Sequence, residues 1–204
     1  MLNFRFINTI IKSLSEKRIF WSEIDFQLAF AWEIKLRLKD VEIYLERRFE
    51  FSESEVWYID IWVEYNGGIF PIELKYKTKK CEINLFNNDK VKLKEQGACD
   101  LGRYGFIKDI FRLEKLSSIP NFKEGYAIIL TNEPKYFQTY NNRPTIDRDF
   151  RIHDNHIIQG NKDLVWYSSA KWVENYPKIH LMNNYKMNWH TYIGDFKYSI
   201  CIVK

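Results

Sequence analysis

The sequence predicts an α/β fold, a mixed sheet with helices on both faces, on three observations. Two stretches with helical apolar spacing precede a strand-rich region between residues 41 and 80. Within that region the step Asn66-Gly67 separates two apolar-rich runs, the strongest short-range signal for a hairpin. A third helical stretch and then a nearly continuous apolar run, residues 125–132 (GYAIILTN), follow the hairpin, as a right-handed crossover to a buried parallel strand requires.

Residues 4–16 set Ile7, Ile10, Ile11 and Leu14 on one stripe of an amphipathic helix. A second helix opens at Ser22, where Ser22-x-x-Asp25 resembles a capping box with a shorter acid, and runs through Phe26, Ala29, Phe30 and Ile34 to about Leu38. Glu23 and Gln27 stand four apart on one of its faces. Residues 41–49 alternate as a first strand, with Glu46 assigned a structural place near its end. The hairpin supplies strands two and three. Pro71 has no amide to give, so its nitrogen is expected to point away from the second strand.

Residues 81–99, with Asn87-Asn88-Asp89 and Gly97, read as a mobile polar loop. Asp100 is then expected to cap a helix to about Leu116, with Leu101, Tyr104, Ile107 and Phe111 on its stripe and Gly102 and Gly105 weakening it. Asp109, Arg112 and Glu114 are read as pairing along that helix. Pro120 breaks it before the strand at 125–132. Residues 133–163 read as an extended, loop-rich insertion, and residues 189–203 as two short strands about Gly194-Asp195. His153 and His156, three apart in a loop with no cysteine partner, are read as structural and not as metal ligands.

A length of 204 residues suits a single domain, with a core over about 20–131 and a C-terminal elaboration over about 132–204. The net charge of +4 is compatible with a polyanionic partner. Lysines cluster at 75, 77, 79 and 80 and again at 90, 92 and 94. Three scattered cysteines suggest neither a zinc site nor a disulfide framework, and point to a reducing cytoplasm. No signal-peptide pattern and no run of membrane-spanning length are present, so no membrane association is expected. Motifs for P-loop, dinucleotide, serine-hydrolase and zincin chemistry are missing from the sequence.

The hairpin carries the chemistry. If Asn66 and Gly67 form the turn, Tyr65 faces Gly68, and counting outward sets Asp60 opposite Glu73 at a closely approaching pair. Lys75 then projects from the same face, two residues on. Two facing acids are destabilising alone and stabilising around a hard divalent cation. If instead Gly67-Gly68 forms the turn, Asp60 faces Lys75 in an ordinary cross-strand salt bridge. The first reading draws support from the faces: Ile59, Ile61 and Val63 share one apolar side, and Asp60 lies with Tyr58 and Trp62 on the other.

Asp60, then thirteen positions on Glu73-x-Lys75, within one hairpin and in an α-β-β-β-α-β order over about 20–131, resembles the signature of the PD-(D/E)XK nuclease superfamily with its restriction-endonuclease-like fold. The proline that names the motif is absent, Ile59 preceding Asp60. The resemblance implies Mg²⁺-dependent hydrolysis of DNA phosphodiester bonds, with Mn²⁺ as a substitute, in phage defence, repair or transposition. RNA is the less favoured substrate. Asp60 and Glu73, with Glu23 from the preceding helix, would hold the metal. Glu33 is the weaker rival to Glu23. Lys75 would orient water or stabilise the pentavalent charge, and Lys77, Lys79, Lys80 and Arg103 would contact the nucleic acid. The same resemblance implies action as a homodimer or with a partner subunit. A non-catalytic nucleic-acid-binding or assembly module on the same fold is the alternative.

Overall fold

The computed structural model describes residues 2–52, 55–84, 90–139 and 144–204. Helices α1 (Phe4–Ser15) and α2 (Glu23–Arg37) come first, each opened by the cap its sequence offers. Asn3 accepts from the Phe6 amide, and Ser22 from the Asp25 amide. Strands β1 (Glu42–Ser52), β2 (Glu55–Tyr65) and β3 (Gly68–Lys77) follow as an antiparallel meander. The turn is the one expected: Tyr65 pairs with Gly68, and Asn66 and Gly67 both take left-handed angles (φ 49° and 70°), as a type I′ hairpin demands. Pro71 sits opposite Trp62, in the class of pair that needs no amide from it.

Two expectations give way after β3. The stretch read as a mobile loop contains a small antiparallel hairpin, β4 (Cys81–Asn84) with β5 (Lys90–Leu93), held to the core by Val91 and Leu93; Asn87-Asn88-Asp89 lie outside the described residues. Helix α3 (Cys99–Leu116) begins one residue before Asp100, which therefore lies in the first turn and does not cap it. Ala98 caps instead, in a left-handed conformation (φ 54°) with no side-chain hydrogen bond.

Strand β6 (Gly125–Thr131), buried at every residue, then pairs parallel to β3. The region read as an extended insertion is packed: Phe150, Ile152, Ile158 and Leu164 are buried against α3. It forms short strands β7 (Ile157–Ile158), β8 (Lys162–Leu164), β9 (Ile179–Leu181) and β10 (Tyr185–Lys186). Finally β11 (His190–Thr191) and β12 (Lys197–Val203) join the main sheet, so its order is β1-β2-β3-β6-β12-β11, mixed in direction.

Strand alternation divides the core in two. Ile61, Val63, Ile72, Leu74, Tyr126 and Ile128 face α1 and α2, whereas Ala127, Ile129, Cys201 and Val203 face α3 and the C-terminal elaboration. One residue breaks the rule. Ile59 belongs to the α3 side although Ile61, two positions on, faces α2. The expected common face for Ile59, Ile61 and Val63 is therefore not formed, and the irregular step lies at Asp60. Among the described residues no helix is long and apolar enough to cross a membrane.

Candidate active site

The step at Asp60 opens the sheet. Hydrogen-bonded pairs alternate outward from the turn through Val63–Phe70 and Ile61–Ile72, so the Leu74 amide should next meet the Ile59 carbonyl. The ladder stops at Ile61–Ile72, one step short of the expected Asp60–Glu73 pair, and β2 and β3 part there. The Leu74 amide donates instead to Asp60 Oδ2 at 2.6 Å, and the Tyr76 amide, two residues on, donates to Glu23 Oε2 at 2.7 Å. Two strand amides are thus satisfied by two carboxylates, at little cost in hydrogen bonding. Glu23 reaches the sheet because it opens α2, one residue after the Ser22 cap.

On the other flank, β1 skips a pairing at Glu46, which takes a left-handed angle (φ 50°). Gln27, buried on α2, fills the gap: its Nε2 donates to the Asp60 carbonyl at 2.5 Å and to Glu46 Oε1 at 2.8 Å. Glu46 and Gln27 hold the irregular step in place. Glu33 plays no part; it is spent on Lys17 and Arg37.

Glu73 lies beyond the parting, on the α3 face. Its side chain has 0% exposure, and neither carboxylate oxygen has a hydrogen-bond partner among the described residues. Its nearest cation is Arg112, with Nη1 3.2 Å from Oε1 but not aligned as a hydrogen bond. Burial, reinforced by Asp109, pushes the Glu73 carboxyl well above the usual range against the pull of Arg112. Burial also raises Asp60, to about 6, with Lys75 and the Leu74 amide opposing it. Lys75 Nζ lies 2.8 Å from Asp109 Oδ2. Burial disfavours its charge, but Asp109, Glu23 and Asp60 together outweigh that and hold its pKa above the ordinary lysine value.

Asp109 and Arg112 are neighbours of Lys75 and Glu73 that sequence reasoning left on the helix. They do approach each other (3.4 Å), yet each reaches across to the sheet, Asp109 to Lys75 and Arg112 to Glu73 and to the Tyr58 carbonyl at 2.8 Å. Glu114 departs from the trio and binds the amides of Met182 and Asn183. The signal was their place on the inner face of α3, one turn apart, which marks charged residues that need partners across the core.

The lysines extend the site. Lys77 joins Lys75 in lining a cavity of about 250 Å³ with Gly97, Ala98, Gly102 and Gly105 at the start of α3. Lys79 and Lys80 are exposed just past the end of β3. Arg103 lies apart from these lysines: it is buried, its guanidinium held by Asp147 and the Lys135 carbonyl, and it lines a separate small cavity with Lys135 and His153.

The arrangement gathers four carboxylates (Glu23, Asp60, Glu73, Asp109) around two cations (Lys75, Arg112) in a largely buried space. Among the described residues, no three acid, histidine or cysteine side chains stand together as a ready ligand shell. Glu23 and Asp60 each hold a backbone amide, and only Glu73 has both oxygens unclaimed by hydrogen bonds. An orphaned buried carboxylate with a second acid beside it fits a hard divalent cation, which would discharge the excess of negative charge that protons otherwise relieve. Comparison of the chain with protein-family models, with curated proteins and with solved structures finds no match in any of the three.

Proposed function

We propose that the chain is a divalent-metal-dependent nuclease with a restriction-endonuclease-like core, cleaving phosphodiester bonds in DNA. The observation that carries this reading is the Glu73 carboxylate, buried and without hydrogen-bond partners beside Asp60 and Lys75 where two strands part. The order α2-β1-β2-β3-α3-β6, interrupted by the β4–β5 hairpin, supports it, as does the spacing Asp60…Glu73-x-Lys75.

Glu73 and Asp60 would hold Mg²⁺, or Mn²⁺ in its place, while Glu23 fixes the Tyr76 amide and lends its charge from nearby. Such an ion, when bound, polarises the scissile phosphate and acidifies an attacking water. Lys75 keeps its proton under the influence of Asp109, Glu23 and Asp60, so its contribution is electrostatic stabilisation of the pentavalent charge and not proton abstraction. Lys77 and the glycine-lined start of α3 continue the path of the phosphate backbone away from Lys75.

A second reading, a nucleic-acid-binding module that does not cut, is favoured by one feature: Lys75 and Arg112 already have partners within the chain, Asp109 and Glu73. Incubation of supercoiled plasmid with Mg²⁺ or with EDTA separates the two. Nicking that needs Mg²⁺ and falls by about 100-fold or more in Lys75→Ala is expected. Binding without nicking in any divalent metal supports the second reading, and a labelled RNA beside the plasmid tests the substrate.

A further inference from the structure

Helix α2 is apolar on the side that the fold leaves open. Its exposed positions include Ile24, Leu28, Trp32 and Leu36, each 56–74% exposed and spaced by four so that they form one ridge along the length of the helix. The opposite side, Phe26, Ala29, Phe30 and Ile34, is buried. Trp21 extends the ridge in front of the helix, and Leu45 of β1, the open edge of the sheet, widens it from the face it shares with Ile61. Between α2 and β1 runs a groove of about 420 Å³, lined by Leu28, Trp32, Val41, Tyr44 and Leu45 among others.

Scaled by side-chain areas of 150–250 Å² for aromatics and somewhat less for leucine and isoleucine, these exposures amount to roughly 700 Å² of apolar surface on one face. That exceeds the ~300–600 Å² of the largest patch on an ordinary monomer and falls within one partner's share of a standard interface, about 600–1,000 Å². We propose that this face joins two copies of the chain in a two-fold dimer, with α2 packed roughly antiparallel on α2 of the other copy.

Three features favour a second copy as the occupant. Ridge and groove lie on one patch, so the surface is complementary to itself, as a two-fold contact requires. Centred between Leu28 and Trp32, antiparallel ridges set each Trp32 indole against the smaller Leu28, and Ile24 against Leu36. Antiparallel packing also sets the positive end of each helix dipole beside the negative end of the other, while the end charges are met within the chain, Glu23 by the Tyr76 amide, Asp25 by Arg18 and Arg37 by Glu33. A lipid surface would be matched by basic residues along the whole face, and here one end is acidic.

Sedimentation velocity on the full chain between about 1 and 100 μM tests the proposal. The wild-type chain is expected to sediment at twice the 24.8 kDa chain mass. The double variant Leu28→Glu/Trp32→Glu, at exposed positions, is expected to sediment as a monomer with unchanged circular dichroism. If that variant fails to fold, Leu36→Glu at the end of the ridge is read in the same way. A wild-type monomer throughout overturns the proposal, and so does a variant that stays dimeric. A monomer that floats with anionic vesicles would give the face to lipid, and one that does not would give it to a different protein; both are refutations.

Discussion

Replacing Asp60 by asparagine keeps an oxygen for the Leu74 amide and removes only the charge. Burial carries the Asp60 carboxyl from 3.8 to about 6, so between those values the folded chain retains a proton that the unfolded chain releases. A group raised in this way withdraws stability as pH climbs through that window, and above it the loss is complete. The gap corresponds to about 3 kcal/mol. Part of the gain in the variant is offset, because asparagine forgoes the attraction of Lys75. Asp60→Asn is therefore expected to be more stable than wild type by about 1–3 kcal/mol near pH 8 and nearly equal to it near pH 4. Urea denaturation across that range in EDTA measures the difference. Under the proposed function, about 10 mM Mg²⁺ at the upper pH then stabilises the wild type by about 1.4 kcal/mol for a Kd near 1 mM, and the variant by much less. A variant that is less stable at pH 8, or a gap that does not change with pH, refutes the argument that this carboxylate is held at a cost.

Two glycines of α3 give opposite expectations. A Cβ at Gly102 would lie 2.0 Å from the buried Tyr136 hydroxyl, so Gly102→Ala is expected to destabilise by about 1–3 kcal/mol, whereas at Gly105 the nearest atom, Lys75 Cε, is 3.8 Å away and alanine is expected to stabilise by up to about 1 kcal/mol; thermal melts of the pair check both signs. Asp109→Asn removes the foremost of the three acids that hold the Lys75 proton, so the Lys75 pKa is expected to fall, as read from the pH dependence of its Nζ resonance; an unmoved pKa would take Asp109 out of the account.

The elements most legible in the sequence were those fixed by local rules. The Ser22 cap, the Asn66-Gly67 turn and the continuous apolar run of β6 each depend on residues a few positions apart, and all are found. What escaped depends on distance along the chain. The break in the β2–β3 ladder is held by Gln27 and Glu23, about 30 and 50 residues away from the backbone groups they satisfy. Asp109 and Arg112 looked like a helical pair because the i,i+3 spacing is visible and the facing acid and amine on β3 are not. The partner of Arg103 escaped for the same reason: Asp147 lies 44 residues on, in a region without periodic pattern. The small hairpin at 81–93 was missed because four-residue strands rich in lysine and asparagine carry turn chemistry more strongly than strand chemistry.

The parting of β2 and β3 also bears on how the molecule is built. Until α2 docks, the amides of Leu74 and Tyr76 have nearer acceptors in the Ile59 and Trp57 carbonyls, and an uninterrupted two-stranded ribbon is the local solution. That zipped ribbon would shut the cleft and lay the acids along an ordinary ladder. The open cleft therefore depends on α2, and a chain whose second helix is damaged is expected to keep its hairpin and lose the cleft.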